Sequence, residues 1–437
     1  MSKEKICIHW YRRDLRTTDN TALYHALDSG VPVLPVFIFD RKILDELEDR
    51  DDKRVNYIHS VIADLKAALE DKGGSMYVYY GAPRGAFQEL FDTYDVQAIY
   101  TNEDYEPYAR ERDADIASYA ENKRIEFHSY KDHVIFAKDE VVKSDGDPYV
   151  VFTPYSKIWR QRLSNHPPEI WSSAYNLHKL HQCKPMEMIS LDDMGFRPNE
   201  FPYPTERPEE DLIRDYAQQR NYPGKEGTSR IGVHLRFGTV SIRKLLDRTR
   251  EWSHTYVNEL IWRDFYQQIL WHFPYTVEGP FREKYAAIPW RDSEKDYQAW
   301  CDGKTGYELV DAGMRQLVAT GYMHNRVRML VASFLTKHLL IDWKLGERFF
   351  ARYLMDYEMA SNVGGWQWAA GCGTDAAPYF RIFSPDSQLE KFDKGRTYCH
   401  EWLPEMDGKN YPVDRIVDHK EARQRALDTY KKALDRS

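Results

Sequence analysis

Between Asn325 and Phe383 the chain reads NRVRML, then DWKLGERFF, then MDYEMASNVGGWQWAAGCGTDAAPYFRIF. That density of Trp, Arg, Asn and Gly exceeds what an ordinary helix surface needs. Nine of the twelve tryptophans (positions 252, 262, 271, 290, 300, 343, 366, 368 and 402) fall in one stretch, 252–402. Indoles are large, flat and easily oxidised, so gathering them in one region suits stacking, electron transfer, or both. The pattern points to a redox chromophore and a planar aromatic substrate.

Four constellations stand out. In HNRVRM (324–329), Asn325, Arg328 and Met329 stand at i, i+3 and i+4 and share a helix face. Asp356, about one helix later, is a plausible acidic partner for an arginine there. In NELIWRDFY (258–266), Glu259 and Trp262 stand at i, i+3, a carboxylate beside an indole, suited to binding and stacking on a heterocycle. The plainer reading is a Glu259–Arg263 surface pair with Trp262 filling the core. EGTSR (226–230) places hydroxyls before a helical pattern, where they bind phosphate or simply cap the helix. In GGWQW (364–368) paired glycines permit close backbone approach, and two Trp at i, i+2 point in different directions.

The elements that hold these residues divide the chain. A length of 437 residues suggests two domains, or one with a large appendage. ICIHWY (5–10), VPVLPVFIF (31–39), SMYVYY (75–80), VQAIYT (96–101) and IEFHSY (125–130) read as buried strands, with amphipathic stretches such as 55–71 between them. That alternation predicts an α/β, doubly wound parallel-sheet domain over 1–130. YRRDLRTTDN follows the first strand where a dinucleotide fingerprint would carry GxGxxG, so a Rossmann site on that turn is not supported. Residues 131–204 read as a long linker with short helices around 152–163. From 205 to 437 helix-period faces dominate, which predicts an all-α domain holding most of the tryptophans. The five widely spaced cysteines form no CxxC pair and fit a reducing cytoplasm. No secretory signal or membrane span is expected. A net charge of −8 argues against indiscriminate coating of nucleic acid but leaves room for a local basic face.

Taken together, GTSR, NELIWRDFY, KTGYELVDAGMRQL, TGYMHNRVRM and GGWQWAAGCGTDAAPYFRIFSP resemble the photolyase/cryptochrome flavoprotein family, as do RRDLRTTDNTAL and PYVVFTPYSKIW. Within it the chain is most similar to the class I cyclobutane-dimer DNA photolyases. The resemblance implies a non-covalent, U-shaped FAD in the helical domain and blue-light repair of pyrimidine dimers in ultraviolet-damaged DNA. It places Tyr216, Thr228, Ser229, Arg230 and Tyr256 around the FAD, Arg328 and Asp356 beside the isoalloxazine, and Glu358 at its pyrimidine edge. Asn362 would face flavin N5, the atom whose protonation decides which reduced form persists. Glu259, Asn325 and Met329 would line the dimer pocket, with Trp262 and Trp368 as its walls. Arg220 and Arg326 would lie near substrate and DNA backbone, and Trp366, Trp343 and Trp290 would carry an electron to the flavin.

Three positions depart from the family pattern: Glu358 stands where Asp is usual, Gly232 where a Ser is, and Tyr256 where a Trp is. A cryptochrome photoreceptor is one alternative, although the helical pattern to the C-terminus leaves no room for a signalling tail. A (6–4) photolyase is another, although Asn325 and Met329 stand where those relatives place His. An ordinary flavin oxidoreductase would leave the clustered Trp unexplained. A second antenna chromophore, of folate or deazaflavin type, is compatible with the sequence, with Glu106 a candidate folate contact. A monomer is expected, because a damage site needs an open face.

Overall fold

The five runs form five strands, but IEFHSY, read as buried, has no buried residue, because it lies at the sheet edge. In the computed structural model, which describes residues 3–435, they are β1 (Lys5–Tyr11), β2 (Val33–Asp40), β3 (Tyr77–Gly81), β4 (Asp95–Asn102) and β5 (Glu126–Tyr130). All pair in parallel in the order β3-β2-β1-β4-β5. Every residue of β2, and all of β1 after Lys5, is buried, as expected for central parallel strands covered on both faces. The principal helices between them are α1 (Thr21–Asp28), α2 (Lys53–Glu70), α3 (Pro83–Thr93) and α4 (Pro107–Asn122). Strand order reverses direction between β1 and β4, which opens a crevice at their carboxyl ends, the usual ligand position in such sheets.

The chain divides into two units: residues to 137 with 162–207 and 231–248, and residues 138–161 with 208–230 and 249 onward. The segment 231–248 supplies the first unit with Arg243, which is buried along with Asp19 and Asp132. Its Nη2 donates to Asp132 Oδ1 at 2.8 Å and its Nε to Asp19 Oδ2 at 3.0 Å, while Arg16 Nη2 donates to Asp132 Oδ2 at 2.7 Å. Burial pushes the Asp132 carboxyl up, but Arg16 and Arg243 outweigh it and hold it well below the usual carboxylate range. A depressed carboxyl contributes stability above its unfolded value, near pH 4, and loses it as pH falls below that. Arg243→Leu strands two buried carboxylates and is expected to destabilise this unit by about 3–5 kcal/mol. Denaturant unfolding of the variant at pH 7 checks this, and a loss under about 1 kcal/mol would show the network to be dispensable.

The second unit is helical, as its periodicity predicts. Its principal helices are α5 (His254–His272), α6 (Glu308–Thr320), α7 (Asn325–Ser333), α8 (Trp343–Tyr353), α9 (Met359–Ala370) and α10 (His419–Leu434). A π-helical turn, Phe334–Leu339, continues α7 and stops at Leu340 in the left-handed conformation. Within the stretch read as linker, a helix runs over Phe152–Asn165. One core cluster contains Trp300, Trp343, Trp366, Leu335 and Tyr430. Close approach of α9 to α5 depends on Gly364, where a Cβ would lie 2.3 Å from the Tyr266 ring.

Candidate active site

Helix α9 carries the densest part of the site. Asn362, Gly365 and Trp368 recur three apart and share a face. Gly365 lies inside the helix, where glycine costs about 1 kcal/mol relative to alanine. A Cβ there would meet nothing within 4 Å, unlike one at Gly364. Gly365 is exposed, so the helix backbone there is bare and borders open space.

Helix α7 begins at His324, whose side chain accepts from the Arg326 amide and caps it. Burial, followed by the charges of Arg328 and Arg326, lowers the His324 imidazole to about 4, so it is neutral at physiological pH. Arg328 pairs with Asp356 through Nη2 at 2.9 Å, the partner its spacing suggested, and its Nε donates to Met323 O at 2.7 Å. Arg326 donates to Asn221 Oδ1 at 2.6 Å and lies over the Phe392 ring at 4.5 Å, with Met329 Sδ 3.7 Å from its Nη1. Asn325 is exposed.

On α5 the plainer reading of NELIWRDFY fails. Glu259 bonds not to Arg263 but to Arg220, and Arg263 donates to Glu358 Oε1 at 2.7 Å in a buried pair. Burial raises the Glu259 carboxyl although Arg220 pulls it down. Arg326 is lowered first by burial and then by the charges of Arg220 and Arg381. Trp262 stacks flat on Phe152, centroids 3.6 Å apart at 1°. Trp368 is half-buried at the edge of the core cluster, and no ring contact joins it to Trp262 among the described residues.

EGTSR is not a helix N-terminal site. The helix after it, Gly232–Phe237, has six residues and no side-chain cap. Thr228 Oγ1 instead lies 3.1 Å from Tyr322 OH, and Ser229 Oγ 3.0 Å from Tyr256 OH. Tyr216 meets Tyr256 edge-on at 5.2 Å. Arg230, at φ +51°, donates to Glu226 and lies over the Tyr322 ring at 4.9 Å. With Arg328 also over its ring at 5.6 Å, Tyr322 joins the Thr228, Arg230 and Arg328 groups, a role its sequence position does not signal.

The three indoles read as an electron chain share one core, but their rings touch other partners. Trp366 packs edge-on against Phe350 at 5.0 Å and Trp300 at 6.0 Å, and Trp290 packs edge-on against Tyr430 at 6.1 Å. Trp343 is buried in the first turn of α8.

Residues 7–172 match the family model for DNA photolyase, and residues 256–409 match that for the FAD binding domain of DNA photolyase. A deoxyribodipyrimidine photo-lyase of Synechococcus sp. is 35% identical, over 91% of this chain and 88% of the relative. The chain belongs to the DNA photolyase family. Its fold superimposes on a bacterial class III photolyase from Agrobacterium tumefaciens with a TM-score of 0.86, 31% identity and coverage of 100% and 99%. An archaeal photolyase from Sulfolobus tokodaii with two FAD molecules superimposes at 0.83, with 32% identity and coverage of 98% and 99%. The photolyase is thus a flavoenzyme whose cofactor is FAD. The bare, open backbone at Gly365 leaves room for a planar ring system laid against α9. Sequence reasoning passed over Arg381, Tyr322, Trp300 and the Arg263–Glu358 pair; only PYFRIF hinted at the first.

Proposed function

We propose that the chain repairs cyclobutane pyrimidine dimers in ultraviolet-damaged DNA, using blue light and reduced FAD. The observation that carries this reading is a half-buried carboxyl, Glu259, paired with Arg220, while Arg326 feels the charges of Arg220 and Arg381, on the unit that matches the FAD-binding model. Reduced FAD held here would supply, on excitation, one electron to the dimer, which opens the four-membered ring and gives the electron back, so that no net oxidation or reduction results. The chain's own residues bind, orient and exclude water. Arg328, paired with Asp356, places positive charge where the isoalloxazine would lie and favours its anionic reduced form. Thr228, Ser229, Arg230, Tyr216 and Tyr256 would hold the phosphates and ribityl chain, with Arg263–Glu358 closing the pyrimidine edge.

The damaged pair must leave the stack to reach such a site, at a cost of a few kcal/mol that damage lowers. Asn325, Met329, Trp262 and Trp368 would receive it, while the guanidiniums of Arg220, Arg326 and Arg381 meet backbone phosphates. Glu259, its carboxyl raised by burial, would hydrogen-bond the dimer. Trp366, Trp343 and Trp290 would return electrons to oxidised cofactor. This reading includes a cytoplasmic monomer, in keeping with five free cysteines; no helix among the described residues is long and apolar enough to cross a membrane.

The test is illumination of the reduced protein with an oligonucleotide carrying a thymine dimer, counting restored thymines. Restoration in light and none in darkness is expected; none in either, or equal restoration in both, defeats the proposal. Three phosphate contacts predict that affinity for damaged duplex falls about 40-fold from 50 to 200 mM salt. Anisotropy titrations measure that slope, and a flat profile would remove the arginine patch from DNA binding.

The first unit has a cavity of ≈ 180 Å³ at the strand ends, lined by Trp10, Phe37, Tyr108, Arg112 and Arg236. Glu106 also lines it, but its carboxylate accepts from Arg236 at 2.7 Å. The Trp10 ring lies beneath the Arg12 and Arg112 guanidiniums at 4.8 and 5.0 Å. Aromatic walls with cations suit a planar anionic antenna chromophore. Ala109→Trp, which fills this cavity, is expected to remove a second absorption band while leaving bound FAD unchanged.

A further inference from the structure

Phe152, the first residue of the helix Phe152–Asn165, lies flat on Trp262. The ring centroids are 3.6 Å apart and the planes 1° from parallel, so one whole face of the indole is covered. Phe265 meets the same indole edge-on at 5.7 Å. Phe152 is buried and Trp262 only half-buried, so the exposure left to the indole is on its other side. Aromatic pairs left to themselves prefer offset or edge-on contact over a sandwich. This sandwich is therefore imposed by what holds its two members.

Trp262 sits on α5, and the helix of Phe152 is fastened to α5 along its length. Phe152, Tyr155 and Trp159 stand at i, i+3 and i+7 and form its buried stripe. Trp159 Nε1 donates to Asp264 Oδ2 at 2.9 Å, and the Tyr155 ring meets that of Phe265 at 5.2 Å. The start of the helix is held separately. Gln268 Nε2, also on α5, donates to Tyr149 O at 3.1 Å, and Thr374 Oγ1 donates to Val150 O at 2.6 Å. The Phe152 amide donates to Asp375 Oδ2 at 3.3 Å. Thr374 and Asp375 lie in the segment that runs on to Arg381, so one stretch of chain holds the stack and carries a guanidinium of the proposed DNA face.

We infer that Phe152 is a positioning residue for damage recognition: it backs the Trp262 indole and fixes the plane on whose opposite face a flipped pyrimidine stacks. The inference rests on the reading above, in which Trp262 receives the dimer. A ring in a pocket wall that turns between rotamers must be immobilised when a base lands on it, and that ordering subtracts from affinity. With Phe152 behind it the ring is ordered when the protein folds, and the stacking contact is complete on arrival of the base. An undamaged duplex keeps its bases in the stack and draws nothing from this ring. Phe152, without touching DNA, thus sharpens the distinction between damaged and intact strands.

The test uses FAD-loaded protein in darkness and compares, by anisotropy, a dimer-containing duplex with its undamaged match. Phe152→Leu should lower the ratio of the two affinities about 3- to 10-fold, the effect of one side chain left to be immobilised on binding. FAD content and affinity for the undamaged duplex should stay within about twofold of the parent. Phe152→Tyr keeps the flat ring and should restore the parental ratio. If the Leu variant does not fold, Phe152→Met, which keeps bulk without a flat face, takes its place. Trp262→Leu should lower the ratio by itself, and adding the Phe152 change to it should then alter the ratio by less than about twofold, because the ring that Phe152 holds is gone. A parental ratio in the Phe152 variant beside a lowered one in Trp262→Leu overturns the role of Phe152 and leaves the Trp262 reading standing. An equal loss for both duplexes, or a Phe152 effect that persists in full without Trp262, overturns it too. If Trp262→Leu keeps the parental ratio, the placement of Trp262 at the dimer fails, and the role of Phe152 with it.

Discussion

Gly365→Leu should yield a folded protein that binds FAD about 5- to 150-fold more weakly. The estimate follows from the cost of overpacking a filled site, about 1–3 kcal/mol. The sharper version uses alanine at the two adjacent glycines. Gly365→Ala places a methyl in open space on a helix interior, so the FAD-free protein should gain up to about 1 kcal/mol from helix propensity. The same methyl should weaken FAD. Gly364→Ala drives a Cβ to 2.3 Å from the Tyr266 ring and should destabilise the protein by about 1–3 kcal/mol with or without FAD. Paired measurements of unfolding free energy and FAD affinity read both effects. A Gly365→Ala protein that binds FAD with unchanged affinity would mean that the bare strip is not where the ring system lies.

Glu259→Ala is expected to lower affinity for dimer-containing DNA about 10- to 100-fold, the loss of a hydrogen bond involving a charged group, about 1.5–3 kcal/mol. FAD content should not change. Because the carboxyl also pairs with Arg220, the variant frees a guanidinium, and that effect must be separated from loss of the contact to the dimer. Undamaged DNA is the control, since a freed arginine would raise affinity for both ligands. Dark anisotropy titrations with matched oligonucleotides distinguish them, and parallel changes for damaged and undamaged strands would confine Glu259 to holding Arg220. Glu259→Gln, which keeps shape and an amide donor, should lose less.

The central strands were legible because buried parallel strands write themselves as unbroken apolar runs, and all five strands appear within two residues or so of where VPVLPVFIF and its fellows suggest, although the edge strand β5 is not buried. The Arg328–Asp356 pair was legible because one helical hairpin separates its members. Pairings made over longer chain distances were not. Spacing suggested Glu259 with Arg263, yet each found a partner from another element, Arg220 and Glu358. The hydroxyls of EGTSR invited capping or phosphate binding, but two tyrosines far along the chain face them instead. Trp366 shows the same limit: its place in the sequence says nothing about the Trp300 ring against which it packs. Periodicity reports which face of an element is buried, and only the tertiary arrangement decides what that face meets.

Arg243 has a consequence for how the protein is made. The carboxylates it neutralises, Asp19 and Asp132, leave the ribosome well before it does; Asp132 precedes it by 111 residues. At about 5–20 residues per second, the sheet waits roughly 6–22 s for its counter-ion. Through that interval the two acids lack the counter-ion they share in the folded protein, which comes from a segment that belongs, in sequence, to the other half of the chain.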